Sequence, residues 1–149
     1  MGSGTGWRCR SCGAGEEYWT GCGMMSCNVA ETRERIARGE LGQIAKRLLS
    51  EDFPLDVNTV DEHAFFRCPE CGKLVEGMSV RFYVVGDSFE MMLHMPPKAC
   101  PACGGEFVYA DDCTPVSDCE IAAYVERIEQ SGCPECGSKD VDPTMVMWD

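Results

Sequence analysis

The chain has 149 residues, 25 Asp and Glu against 13 Lys and Arg, a formal net charge of -12 and 44% hydrophobic residues. That apolar share is enough for a core and excludes wholesale disorder, and no run approaches the ~20 apolar residues of a membrane-spanning helix. The acidity excludes a phosphate-binding surface spread over the whole molecule, since such binding rests on Lys and Arg neutralising the backbone.

In chain order, Met1 to Arg8 has no apolar h-region, so no signal peptide is expected and a cytoplasmic protein is. Trp7-Arg8 places an aromatic before Cys9 and suggests a strand leading in. Asn28 to Asp52 predicts helix, with Ala37, Leu41, Ile44, Ala45 and Leu48 at i, i+3, i+4 spacing; Gly39 and Gly42 predict a bend that divides it in two. Pro54 ends that segment, and the acidic stretch from Glu51 to Glu62 predicts a loop with Leu55 and Val57 turned inward. Phe66-Arg67 repeats the aromatic approach to a cysteine. Ser79 to His94 predicts a hairpin: Val80, Phe82 and Val84 alternate with polar residues, Gly86-Asp87 makes the turn, and Phe89, Met91 and Leu93 continue on the return strand. Glu106 to Tyr109 predicts a short strand. Ser117 to Gln130 predicts the clearest helix, opened by a capping box of Ser117 and Glu120, faced by Ile121, Tyr124, Val125 and Ile128, and stopped at Gly132. Thr144 to Met147 predicts a last short strand.

Twelve cysteines dominate the chemistry. Eight form four C-x-x-C pairs: Cys9/Cys12, Cys68/Cys71, Cys100/Cys103 and Cys133/Cys136. Each pair is followed by glycine (Gly13, Gly72, Gly104, Gly137), and three carry proline after the first cysteine (Pro69, Pro101, Pro134). Two intervening residues let both sulfurs face one ion from a tight turn; glycine permits the positive φ that turns backbone N–H groups toward thiolates, and proline fixes φ at the turn. Tetrahedral zinc with four thiolates is the usual occupant of such paired knuckles, and a rubredoxin-like iron centre uses the same ligands. A thioredoxin-like redox pair needs a βαβ context that this sequence lacks.

The aromatic approaches mark Cys9/Cys12 and Cys68/Cys71 as opening halves of ribbons; the turn-like Pro97-Lys98-Ala99 and Ser131-Gly132 mark the other two as closing halves. We therefore expect a nested arrangement. Cys68, Cys71, Cys100 and Cys103 form a ribbon over about residues 66–110, and Cys9, Cys12, Cys133 and Cys136 tie the two ends of the chain together, packing residues 7–27 against 131–149. Length alone also admits pairing of the third knuckle with the fourth, and Cys22 and Cys27 offer a local alternative that completes a site with Cys9/Cys12. Cys113 and Cys119, either side of Thr114-Pro115, read as small, partly buried hydrophobes. His63 and His94 read as packing residues rather than as a base or ligand. The nine methionines, with Met24-Met25 and Met91-Met92 adjacent, read as core filling, and would mark a partner surface if exposed together.

Taken with Gly21, Gly23-Met24, the Gly39-Glu40-Leu41-Gly42 helix and the terminal Met147-Trp148-Asp149, the Arg8-Cys9-Arg10-Ser11-Cys12-Gly13 segment and the Cys-Pro-x-Cys-Gly knuckles resemble a family of small, uncharacterised bacterial zinc-ribbon proteins. The resemblance implies the fold and zinc, and no activity.

The expectation is thus a single zinc-stapled α+β domain over residues 1–149, with ribbon-type β-hairpins, two helical segments and two four-cysteine zinc sites. Closed four-cysteine sites are structural, and no P-loop, G-x-S-x-G or H-E-x-x-H motif is present, so the reading leans away from an enzyme. An acidic protein-binding adaptor fits best. A nucleic-acid-binding ribbon, using Arg8, Arg10, Arg33, Arg35, Arg38, Lys46 and Arg47, and an iron electron-transfer protein are the alternatives.

Overall fold

A computed structural model of the chain describes residues 2–22, 28–52, 57–107 and 113–148. In chain order its elements are β1 (Gly2–Cys9), β2 (Gly15–Thr20), α1 (Val29–Arg38), α2 (Gly42–Arg47), a single π turn (Leu48–Asp52), β3 (Asn58–Arg67), β4 (Leu74–Tyr83), β5 (Glu90–Met95), α3 (Asp118–Ser131) and β6 (Val141–Trp148). They build a small α+β fold of two three-stranded antiparallel sheets, ordered β2-β1-β6 and β3-β4-β5. None of the described helices is long and apolar enough to cross a membrane.

The first and last strands share a sheet. β1 pairs along its whole length with β6, from Gly2↔Trp148 to Cys9↔Val141, so the last knuckle is delivered beside the first. The second sheet is built the same way at its start: β3 ends at Arg67, the second knuckle turns the chain, and β4 begins at Leu74.

Three apolar clusters fill the interior. The first joins Trp7, Tyr18, Phe65 and Leu74 to Ile121, Val125 and Ile128 of α3. The second packs Ile36, Leu41 and Ala45 against Val80 and Phe82. The third holds Ala64, Phe66, Val75 and Phe107 around Cys68 and Cys100. Period-2 alternation explains how β3 serves two of them: Ala64 and Phe66 face the third cluster, and Phe65 between them faces the first.

Helix α3 has the predicted cap. The Ser117 hydroxyl accepts the Glu120 amide, the Glu120 carboxylate accepts the Ser117 amide at 2.9 Å, and Gly132 closes the helix with its N–H on the Ile128 carbonyl at 2.7 Å. The predicted bend between two helices is also present, with Gly39 at φ 80° as the C-cap of α1.

Three expectations are corrected. The acidic stretch before Glu62 is not all loop: β3 starts at Asn58, and Asp61 and Glu62 lie within it. Both carboxylates are neutralised there, Asp61 by Arg35 and the Thr32 hydroxyl, and Glu62 by Arg81 at 2.8 Å. These ion pairs, made by side chains of other elements, let both carboxylates sit within a strand. The inward face of α1 runs through Thr32 and Ile36 rather than Ala37, and Ile44 is 50% exposed, because the break at Gly39 resets the helical phase. The hairpin between β4 and β5 turns about Val85-Gly86, one residue earlier than expected, with the Asp87 amide on the Val84 carbonyl at 3.3 Å and Gly86 at φ 84°. Tyr83 pairs with Glu90, leaving a six-residue connection that excludes Phe89 from the strand. Val57 is buried as expected; Pro54 and Leu55 lie outside the described residues, as do the last two residues of the strand expected over Glu106 to Tyr109, of which Glu106 forms an isolated bridge with Ala99.

Candidate metal centres

The four knuckles have one local structure. In each, the amide of the first cysteine donates to the carbonyl five residues on, and the glycine amide four residues on donates back to that cysteine's carbonyl. The pairs are Cys9→Ala14 and Gly13→Cys9, Cys68→Lys73 and Gly72→Cys68, Cys100→Gly105 and Gly104→Cys100, and Cys133→Ser138 and Gly137→Cys133, all between 2.7 and 2.9 Å. The four glycines take φ between 73° and 77°. A Cβ at any of them would meet nothing within 4 Å, so their role is conformational and not steric.

Turns of this kind place the first sulfur inside and the second outside. Cys9, Cys68, Cys100 and Cys133 are buried; Cys12, Cys71, Cys103 and Cys136 are exposed. The knuckles then meet in the nested pairs. Cys9, Cys12, Cys133 and Cys136 form one cluster and Cys68, Cys71, Cys100 and Cys103 the other, with all four sulfurs of each within 4.8 Å of one another. Across the pairs, Cys9–Cys136, Cys12–Cys133 and Cys71–Cys100 are 3.7 Å apart and Cys68–Cys103 3.6 Å. A disulfide needs ~2.05 Å, so these are not disulfides. A tetrahedron with metal–sulfur bonds of ~2.3 Å has edges of about 3.8 Å, which these separations match. The donor set and its spacing fit a divalent ion in each cluster.

The electrostatics agree. The Cys9 sulfur, held by the amide of Cys12 and, against burial, that of Ser11, is drawn down to about 7. The amides of Cys71 and Glu70 do the same for Cys68, also to about 7. Cys12 and Cys103 receive the amides of Ala14 and Gly105, yet the neighbouring sulfurs, Cys136 and Cys71 foremost, outweigh them and push both up to about 12. Four thiols this close cannot all ionise unaided; a cation at their centre removes that conflict.

Matched contacts lock the knuckles together. At the first cluster, Arg10 forks onto the Asp142 carboxylate, its amide donates to the Asp140 carbonyl at 2.9 Å, and the Ser11 and Ser138 hydroxyls meet at 2.7 Å. At the second, Gly105 lies so close to the Glu70 side chain that a Cβ there would sit 2.6 Å from it. No sequence signal marked these partners, which depend on which knuckles meet.

Among the described residues, the remaining cysteines stand apart from both clusters. Cys22 is disulfide-bonded and contributes no thiolate to Cys9 and Cys12; Cys27 lies outside the described residues. Cys113 is half-buried against the third apolar cluster, and burial pushes its thiol up; Cys119 is exposed. His63 pairs with Glu76 at 2.8 Å, and His94 with the Ser79 hydroxyl at 2.9 Å. Neither lies in a cysteine cluster. Met91 and Met95 pack against the second apolar cluster, whereas Met145 is 86% exposed.

No family model, curated protein or solved structure matches this chain.

Proposed function

We propose that each four-cysteine cluster binds one zinc ion as a closed structural site, and that the chain serves as an acidic, metal-stapled adaptor that binds another protein. The observation that carries the metal reading is the pairwise convergence of four identical knuckles at tetrahedral edge distances. Zinc is favoured over iron because it is the usual occupant of paired four-cysteine knuckles. Four protein ligands leave no open position for substrate, so the ions would act on stability and not on chemistry. With two such centres, each of net charge -2, the chain's charge moves from -12 to about -16.

The charge distribution supports a protein partner over a nucleic acid. Three of the arginines that could have formed a basic face are engaged by carboxylates of this chain, and Arg33 donates to the Val57 carbonyl. Arg10 is held by Asp142 and Asp140, Arg35 by Asp61 and Glu40, and Arg38 by Glu34 and Glu40. A cytoplasmic setting suits the eight thiolates this reading requires.

Elemental analysis together with native mass spectrometry tests it. Two zinc ions per chain, with the eight knuckle thiols protected until denaturation, is the expected result. Iron with a red colour would replace zinc by the electron-transfer reading, and a metal-free folded chain would overturn both.

A further inference from the structure

The ion pair of Lys73 and Glu16 spans 2.6 Å and separates two adjoining cavities that both residues line. The first, about 340 Å³, receives residues from all four knuckles: Ala14, Gly72, Ala102 and Pro134. Trp7 and Tyr124 give it ring walls. The second, about 570 Å³, is walled by Tyr18, Phe65, Pro97 and Pro101. Both volumes lie near the range of ligand-binding clefts.

The charge along these cavities is one-sided. Glu16, Glu17, Glu76 and Glu135 line them, and Lys73 is the single cation among the described lining residues. Cys71 of one cysteine cluster lies on the wall of the first cavity. On the metal reading above, on which this inference rests in part, the centres flanking that cavity each add a charge of -2. The half-buried Tyr124 ring beside these carboxylates suits a guanidinium or ammonium group, which gains from the ring face as well as from the charge. The fold already contains one such contact, the Arg127 guanidinium 5.7 Å from the centre of the Tyr124 ring.

We propose that this groove binds an extended, arginine- or lysine-bearing segment of a partner protein, with a partner cation competing with Lys73 for Glu16. An extended chain sends alternate side chains to the same side, so one segment reaches both cavities. Opposite charge along the groove would speed encounter and make affinity fall with salt.

The test uses the full chain and two capped heptapeptides, Ala-Arg-Ala-Arg-Ala-Arg-Ala and its glutamine counterpart. Calorimetry measures affinity, amide NMR locates the contact, and metal content is determined on the same sample. The arginine peptide should bind and shift the signals of Glu16, Lys73 and Tyr124, and the glutamine peptide should not. Glu76→Gln with Glu135→Gln should weaken binding about tenfold. Glu31→Gln with Glu34→Gln, an equal charge change on α1, should stay within about twofold. Equal weakening by both pairs, or shifts confined to other surfaces, would overturn the groove in favour of diffuse attraction. Spermidine binding as tightly at the same residues would overturn the partner polypeptide. A chain carrying two ions that ignores the peptide sinks the groove and leaves the metal reading standing. A metal-free chain that binds it there does the reverse, and a chain that takes up neither ion nor peptide overturns both.

Discussion

The sulfurs of Cys9 and Cys136 lie 3.7 Å apart although 127 residues separate them in sequence. The contact is possible because β1 and β6 are neighbours in one sheet and each ends or begins close to a knuckle. The sheet sets the two knuckles side by side, and an ion between them would fix the register of the sheet in return. The second cluster has no such role in closing the chain, since its knuckles lie only 29 to 35 residues apart.

That asymmetry predicts different consequences for the two sites. Cys136→Ser should release one ion and leave the second in place, as read by elemental analysis. It should loosen β1, β2 and β6 in hydrogen exchange while β3 and β4 keep their protection. Structural zinc in small domains carries apparent binding energies of ~10–16 kcal/mol, so the loss should cost at least about 3 kcal/mol, or roughly 6–12 °C in melting temperature. Uniform loss of protection across both sheets would count against separable sites.

A glycine of the first knuckle and a glycine of β1 should respond very differently to alanine. At Gly13, φ is 77° and the space is open, so Gly13→Ala should cost only the strain of the left-handed backbone, about 1–2 kcal/mol. At Gly6, inside β1, a Cβ would lie 2.3 Å from the Glu16 carbonyl oxygen and 2.7 Å from the Thr144 hydroxyl. Backbone cannot yield as a side-chain tip can, so Gly6→Ala should separate β1 from a neighbour and cost well over about 3 kcal/mol. Chemical denaturation of the two variants decides the order.

The cysteine spacing made the knuckles legible because the turn that presents two sulfurs is local: cysteine, two residues, cysteine and a glycine of positive φ. The nested meeting of the knuckles was legible only through flanking residues, the aromatics Trp7 and Phe66 before the opening pairs. The first sheet was less visible. β2, Gly-Glu-Glu-Tyr-Trp-Thr, carries little period-2 contrast, and only Tyr18 of it is fully buried. β3 was hidden by its carboxylates, whose partners Arg35 and Arg81 come from other elements. The groove around Lys73 and Glu16 left no sequence signal, because it exists only once four knuckles are assembled.

Asp61 supplies a test of that hidden strand. Its carboxylate accepts the Thr32 hydroxyl at 2.6 Å and pairs with Arg35, joining α1 to β3 at a place where the Asp61 side chain is 13% exposed. Asp61→Ala strands a buried hydroxyl and a largely covered guanidinium, and should cost about 2–4 kcal/mol in denaturant unfolding. Asp61→Asn keeps an acceptor for Thr32 and should recover part of that. Equal stability of both variants with the parent would show that the ion pair is solvated and that apolar packing alone holds α1.

Thiol reactivity separates the cysteines by environment. With both clusters filled, the eight knuckle sulfurs are ligands and resist alkylation, leaving Cys113 and Cys119 as the reactive pair among the described free thiols. Cys119 is exposed on the first turn of α3, whereas Cys113 is packed against the third apolar cluster and its pKa is raised by burial. The thiolate is the nucleophile, so at a fixed pH near 8 a raised pKa and poor access both slow Cys113. Iodoacetamide followed by peptide mass mapping should therefore label Cys119 first and Cys113 at least about tenfold more slowly. Chelation should then open the knuckles and make all eight of their thiols reactive. Rapid labelling of all eight knuckle thiols before chelation would mean that the clusters hold no ion.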